Sequence, residues 1–134
     1  MQGVVEQKEP VGLRYLTSRE KAALSEFVAR LRERYADEIV LVTLFGSKVR
    51  GDFDEESDVD VLVVVQNGDW RFQDEVALTA FEPMLEHDVV ITPLVIDLEH
   101  YQWLRQYRAP LYRNIRAEGL DLWTRAPASS SASA

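Results

Sequence analysis

The chain has 134 residues, of which 46% are apolar and 28% charged, as expected for one globular domain with a single core. Its formal net charge of −8 argues against bulk binding to DNA or RNA, which requires a basic surface. The absence of cysteine excludes disulfides and thiol chemistry, no apolar run could span a membrane, and the first ten residues lack a signal peptide's apolar core. We therefore expect a cytoplasmic location.

The first predicted element is a long helix that follows a short N-terminal segment. Residues 1–12 and the low-complexity tail, residues 126–134, are expected to be disordered, so the predicted domain covers residues 13–125. Thr17 followed three residues later by Glu20 predicts a capping box at the start of a helix over 18–36. Apolar residues then recur at helical spacing and predict a core-facing stripe: Leu24, Phe27, Val28, Leu31 and Tyr35.

Two apolar, β-branched runs predict the next two strands. The first covers residues 39–45 and stops at Gly46-Ser47, and the second covers residues 59–65. A strand, a Gly-Ser turn and a stretch that can begin a helix would offer backbone N–H groups and a hydroxyl to a phosphate. A Gly-Ser pair alone is weak evidence, because turns use both residues commonly.

Asp58 and Asp60 stand at the start of the second of these strands. Residues two apart in a strand project from one face, so the carboxylates lie about 7 Å apart and repel by roughly 2.4 kcal/mol at an effective dielectric of about 20. A shared Mg²⁺ would reverse that effect, since Mg²⁺ binds one or two carboxylates together with phosphate oxygens. The residues also allow a plainer interpretation, in which Ser57 and Asp58 cap the strand and Asp60 pairs with a basic side chain.

The pattern after the aspartates predicts a turn, a helix and a third strand. Asn67-Gly68 predicts the turn, and residues 70–86 predict a helix that tolerates Pro83 near its end. Residues 89–96 predict the strand, in which Pro93 cannot donate to a sheet ladder. This strand is therefore expected at an edge of the sheet, or to be irregular.

Two short helices are predicted at the end of the domain, over residues 98–107 and 110–118, with Gly119 as a stop. They carry four arginines: Arg105, Arg108, Arg113 and Arg116. These either pair with local glutamates on a solvated face or meet an acidic partner or phosphates. His87 is expected to be a surface or loop residue and not a metal ligand. The element order predicts an α/β fold, a small mixed β-sheet with helices packed against it.

Residues 46–60 resemble the signature of the minimal nucleotidyltransferases of the DNA polymerase β superfamily. The pattern is Gly-Ser, two residues, Arg-Gly, five residues, Ser-Asp, one residue and Asp, before an aliphatic run. Seven positions match it: Gly46, Ser47, Arg50, Gly51, Ser57, Asp58 and Asp60. The resemblance implies a polymerase β-like fold, with Asp58 and Asp60 as the catalytic residues that carry Mg²⁺. It also implies a nucleotide-binding role for four residues: Gly46, Ser47, Arg50 and Ser57.

The resemblance implies the transfer of a nucleoside monophosphate, AMP from ATP, to a hydroxyl acceptor. Proteins of this kind commonly act as the antitoxin beside an all-helical partner with a higher-eukaryote-and-prokaryote nucleotide-binding (HEPN) domain, which would carry the acceptor. The alternative is a catalytically degenerate module that neutralises its partner by contact. A third hypothesis is transfer to a small molecule such as an aminoglycoside.

The resemblance also singles out a position on the third predicted strand. The family usually places a third carboxylate there, and aligning the aliphatic residues puts Thr92 at that position. A hydroxyl can orient a water or the acceptor but adds no negative charge. Asp88 and Asp97 flank the strand and are candidate substitutes.

Overall fold

The computed structural model describes residues 15–46 and 58–124. The predicted disordered ends lie outside these residues, as do Ser47, Arg50, Gly51 and Ser57 of the motif, and the domain boundaries stay predictions. The elements in chain order are helix α1 (Ser18–Tyr35), strands β1 (Ile39–Phe45) and β2 (Val59–Val65), helices α2 (Trp70–Leu78) and α3 (Phe81–His87), strand β3 (Ile91–Asp97), helices α4 (Leu98–Gln106) and α5 (Pro110–Glu118), and strand β4 (Leu120–Thr124).

The four strands form one mixed sheet in the order β3-β2-β1-β4. Strand β1 pairs antiparallel with β2 and β4, whereas β2 and β3 are parallel. The predicted α/β fold with a small mixed sheet is confirmed. Strand β4 was not predicted, because it has only five residues, none of them fully buried, and its pairing with β1 is a long-range contact.

Helices cover both faces of the sheet, which is why β2 is apolar on both sides. One face packs against α1, α2 and α3 and includes four valines of β2: Val59, Val61, Val63 and Val65. On the other face, Leu62 and Val64 of β2 pack with Leu104 of α4 and Ile115 of α5. Two hydrophobic cores therefore share β2 as their common layer.

The capping box predicted for α1 is present. The Oγ1 atom of Thr17 accepts a hydrogen bond from the backbone N–H of Glu20 at 3.1 Å, and the Glu20 carboxylate accepts from the Thr17 N–H at 2.8 Å. Three residues of the predicted stripe are buried, namely Leu24, Phe27 and Leu31. Within residues 15–46 and 58–124, no helix combines the length and apolarity that crossing a membrane would require.

The prediction of one helix over residues 70–86 is wrong, because the segment forms α2 and α3 with a break at Thr79 and Ala80. In a continuous helix the ring of Pro83 would clash with the carbonyl of Thr79, four residues earlier. Pro83 instead lies at the third position of α3, where its missing N–H removes no bond that the helix needs.

The prediction that His87 is a surface or loop residue is correct only in part, because the side chain is partly exposed but the residue is helical. His87 is the last residue of α3, and its half-buried ring lies 2.8 Å from a carboxylate oxygen of Glu26 in α1. This contact joins two residues that are 61 positions apart in the chain, so local sequence patterns could not reveal it.

The prediction that Pro93 lies in an edge strand is confirmed, since among the strands of residues 15–46 and 58–124 β3 borders β2 alone. The N–H of Val59 donates to the carbonyl of Val90. Because backbone groups alternate along a strand, the N–H and C=O groups of the even-numbered residues of β3 point toward β2. The nitrogen of Pro93 therefore lies on the outer side of the edge strand. Its missing N–H costs the sheet no ladder hydrogen bond.

Candidate active site

The two motif aspartates lie at one end of the sheet, where three strands meet. In the strand register, Asp60 of β2 is opposite Phe45 of β1 on one side and Thr92 of β3 on the other. Asp58 and Asp60 share the face that carries Leu62 further along the strand. Helices α4 and α5 cover Leu62, whereas Asp60 is only half-buried and Asp58 is exposed. Both carboxylates are therefore at the end of this face that α4 and α5, the described helices on it, leave open.

Gly46 lies directly against the carboxylate of Asp60. Its φ of +90° is in the region that favours glycine, and a Cβ atom built on it would collide with Oδ2 of Asp60. Glycine is thus required here both for its backbone conformation and for the space it leaves. The sequence predicted a close approach of this backbone to a phosphate, and the structure shows a close approach to Asp60, the adjacent carboxylate.

Thr92 lies beside both aspartates. Its Cα is paired with that of Asp60 across the parallel strands, and its hydroxyl donates a 2.9 Å hydrogen bond to Oδ2 of Asp58. The alignment of the third strand therefore selected the correct residue. The hydrogen bond to Asp58 was not predicted, because it depends on the register of two strands 34 residues apart.

The two candidate substitutes for a third carboxylate have other roles. Asp88 follows α3 with a φ of 57° and forms an exposed ion pair with Arg19 of α1 at 3.2 Å. Asp97 is paired with Val65, five residues beyond Thr92, which puts it about 16 Å along the strand. There it accepts a 2.6 Å hydrogen bond from the N–H of His100 and caps α4. The expectation that either replaces the third carboxylate is not supported.

A second acidic group of residues lies between α1 and α3. Ligand atoms of Glu26, Glu86 and His87 all lie within 4.8 Å of one another, a spacing that a metal ion could bridge. However, Arg30 donates to Oε2 of Glu26 at 2.6 and 2.9 Å and to Glu82 at 2.5 Å. The hydrogen bonds from His87 and then Arg30 lower the pKa of Glu26. With a guanidinium already paired to the carboxylate, this group of residues is an ion-pair network that joins two helices.

The predicted arginine face contains at least one internal pair. Arg116 of α5 contacts Oδ1 of Asp121 in β4 at 3.3 Å, and the same oxygen accepts a 2.8 Å hydrogen bond from the buried hydroxyl of Thr43. Arg116 therefore pairs locally, although with an aspartate of the unpredicted strand. Tyr101 of α4 also lies near Arg116, and burial raises the pKa of its hydroxyl.

Comparison with known proteins agrees with this architecture. The chain matches the family model described as "Nucleotidyltransferase domain" over residues 24–118. It is 36% identical over 104 residues to "Putative protein adenylyltransferase MJ0604" of Methanocaldococcus jannaschii, covering 78% of this chain and 98% of that protein. It is also 36% identical over 73 residues to "Putative protein adenylyltransferase MJ0141" of the same organism, covering 54% of this chain and 74% of that protein.

Two solved structures resemble this chain to different degrees. A crystal structure of "a putative nucleotidyltransferase from Sulfolobus solfataricus" has a TM-score of 0.51 at 18% identity, with 88% of this chain and 91% of that chain covered. A crystal structure "of the toxin-antitoxin with AMP-PNP" has a lower TM-score, 0.49, at 21% identity, with 78% of this chain and 77% of that chain covered. The first of these supports the fold alone. By its family model and its relatives, the chain belongs to the nucleotidyltransferase domain family.

Proposed function

We propose that this nucleotidyltransferase moves AMP from ATP to a hydroxyl group on a partner protein. The observation that carries the proposal is the close approach of Gly46 to Asp60, with Asp58 two residues earlier on the same face, at a sheet end that α4 and α5 leave open. Membership of the family supports a nucleoside triphosphate substrate and a divalent metal. The choice of ATP and of a protein acceptor follows the names of the relatives, which are called protein adenylyltransferases.

The donor atoms at the site fit Mg²⁺. Asp58 and Asp60 offer hard carboxylate oxygens on one face, and Mg²⁺ takes one or two carboxylates while phosphate oxygens and waters complete its shell. We propose these two residues as the metal ligands and catalytic residues. When bound, the metal would neutralise phosphate charge and polarise the phosphorus that is attacked.

The remaining motif residues are assigned to the triphosphate. Gly46 brings the turn backbone up to the carboxylates, and we propose that it contributes its N–H group to the phosphates. Ser47, Arg50 and Ser57 lie outside the described residues, and their nucleotide-binding role rests on the motif. An arginine at the phosphates would offset part of their negative charge.

The proposed reaction is a single displacement at the α-phosphorus. The acceptor hydroxyl oxygen forms a bond to this phosphorus, the bond to the bridging oxygen of the β-phosphate breaks, and pyrophosphate leaves. The hydroxyl proton passes to water or to a base. The protein's contribution is the alignment of the two reactants, because positioning accounts for much of the rate of such transfers.

We propose a helical HEPN-type protein as the partner and acceptor, with this chain as the antitoxin, on the strength of the motif resemblance. The alternative is a catalytically degenerate module that acts by contact. The neutral Thr92 at the position of a third carboxylate favours that alternative, as does the exposed arginine face. A cytoplasmic location stays a prediction.

Calorimetry with Mg·ATP tests the nucleotide site without knowledge of the acceptor. We expect the parent protein to bind Mg·ATP, Asp60→Asn to lose binding, and Asp88→Asn to retain it. Asp88→Asn is the matched control, because it removes the same charge from an exposed aspartate that pairs with Arg19. A folded parent protein that binds no Mg·ATP would exclude the transferase for this chain.

Neutralisation of the partner separates catalysis from contact. Loss of neutralisation in Asp60→Asn, together with transfer of the α-phosphate label to the partner, supports the transferase. If neutralisation is lost only in variants of Arg105, Arg108 and Arg113, and Asp60→Asn still neutralises the partner, the result supports the contact module.

A further inference from the structure

We infer that Thr92 is a positioning residue that sets the orientation of Asp58. We also infer that, because the Thr92 hydroxyl is neutral, the site binds one divalent cation, and that this cation enters together with the nucleotide. The inference rests on the proposed function, and it concerns residues that the structure describes. Its starting point is the 2.9 Å hydrogen bond from Oγ1 of Thr92 to Oδ2 of Asp58.

The hydrogen bond joins two neighbouring strands diagonally. Thr92 is in register with Asp60, so its side chain emerges on the same face and reaches Asp58, the residue directly before β2. Asp58 is exposed, and an exposed carboxylate samples several rotamers unless a bond holds it. The hydroxyl of Thr92 occupies one oxygen of Asp58 and leaves the other oxygen for a ligand.

The backbone and side chain of Thr92 are both restricted. A residue before proline is excluded from the helical region, so Pro93 keeps Thr92 extended. Threonine is branched at Cβ, which limits its first side-chain torsion. Pro93 provides this restriction without loss of a ladder bond, because its nitrogen lies on the outer side of the edge strand. The hydroxyl is therefore held in place before any ligand arrives.

Thr92 also determines how many negative charges lie beside Asp58 and Asp60. A carboxylate at position 92 would add a third negative charge beside Asp58 and Asp60 and would attract a cation in the absence of nucleotide. A hydroxyl adds none. Mg²⁺ usually takes one or two carboxylates when phosphate oxygens supply further ligands, so Asp58 and Asp60 are sufficient. The residue at 92 therefore suits a site that the nucleotide completes.

Three substitutions at one position test both parts of the inference. Thr92→Val keeps the branched shape but removes the donor, Thr92→Ser keeps the donor, and Thr92→Asp adds a charge. The readout is the affinity for Mn²⁺ alone, measured by electron paramagnetic resonance, and for Mg·ATP, measured by calorimetry. Circular dichroism is used to check that each variant is folded. We expect all three to fold, because Thr92 is exposed.

We expect Thr92→Ser to bind Mg·ATP like the parent and Thr92→Val to bind it about three- to tenfold more weakly, because the exposed Asp58 carboxylate loses the hydrogen bond that orients it. We expect Thr92→Asp to bind Mn²⁺ alone about tenfold more tightly than the parent or better. Equal Mg·ATP affinities of the valine and serine variants would overturn the positioning role. An aspartate variant no tighter than the parent would overturn the charge argument.

The measurements also separate this inference from the proposed function. A parent protein that binds neither Mn²⁺ nor Mg·ATP overturns both. A parent protein that binds Mg·ATP and loses it in Asp60→Asn, with Thr92→Val unchanged in Mg·ATP affinity and Thr92→Asp unchanged in Mn²⁺ affinity, overturns the inference and leaves the proposed function standing.

Discussion

Two regions of this protein bring carboxylates together, and they do so in opposite ways. Between α1 and α3, Glu26 and Glu82 surround Arg30, with His87 on the far side of Glu26. At the end of the sheet, Asp58 and Asp60 project from one face, and the hydrogen bond that Asp58 receives comes from a neutral hydroxyl. The first group of carboxylates encloses Arg30 and joins two helices, whereas the second lies at a sheet end that α4 and α5 leave open, a position suited to a ligand.

Asp60→Asn should produce the largest functional effect. Removing one of two metal carboxylates should lower the rate of AMP transfer at least about 100-fold, because charge stabilisation by a bound metal is worth several kcal/mol. Incorporation of label from α-labelled ATP into the partner measures this rate. A variant that retains more than a tenth of the parent rate would remove Asp60 from the catalytic residues.

Gly46→Ala should damage both the fold and the site. An alanine at a φ of +90° is strained by about 1–2 kcal/mol, and its Cβ would displace the carboxylate of Asp60. We expect a lower free energy of unfolding in urea and weaker Mg·ATP binding. Gly68→Ala is the matched control, because its Cβ would also meet a carboxylate, that of Asp97, but without a positive φ and at the opposite end of the sheet. If both variants bind Mg·ATP equally well, the close approach at Gly46 has no role in the site.

Glu26→Gln should affect stability and leave nucleotide binding unchanged. The substitution removes the charge that meets Arg30 and His87, so we expect the thermal unfolding midpoint to fall by a few degrees. Scanning calorimetry measures the midpoint, and titration calorimetry measures Mg·ATP affinity. A marked loss of Mg·ATP affinity would show that this network is coupled to the sheet end.

The same network should make stability depend on pH. The pKa of Glu26 is lowered in the folded protein, first by the hydrogen bond with His87 and then by Arg30. Its contribution is therefore complete above the ordinary glutamate value of 4.5 and is lost as the pH falls through the lower folded pKa. We expect the midpoints of parent and Glu26→Gln to converge in acid. A constant difference between pH about 7 and about 3 would contradict this cause.

Asp88→Asn should have the smallest effect. The side chains of Arg19 and Asp88 are 66% and 92% exposed, and exposed ion pairs contribute little to stability. We expect a change in the free energy of unfolding below about 0.5 kcal/mol, measured by urea denaturation. A large loss of Mg·ATP binding would instead support Asp88 as the substitute for the third carboxylate.

Local patterns in the sequence were sufficient for most elements. Continuous apolar, β-branched runs identified β1 and β2, helical spacing identified the stripe of α1, and the Thr17–Glu20 pair identified the start of this helix. Pro93 indicated an edge strand because proline has no N–H to donate, a property of the residue in any context. A second property of proline separates α2 from α3, because in a continuous helix the ring of Pro83 would clash with the carbonyl of Thr79.

The sequence by itself determined which residues could act together: the spacing of Asp58 and Asp60 puts both on one face of a strand, and the motif around them indicates the family. Only the tertiary structure decided which distant residues meet them. The register of β2 with β3 brings Thr92 to Asp58, and the packing of α3 on α1 gives Glu26 its partner His87. Strand β4 likewise exists through its pairing with β1. Such contacts depend on pairing and packing across the chain, which no local periodicity encodes.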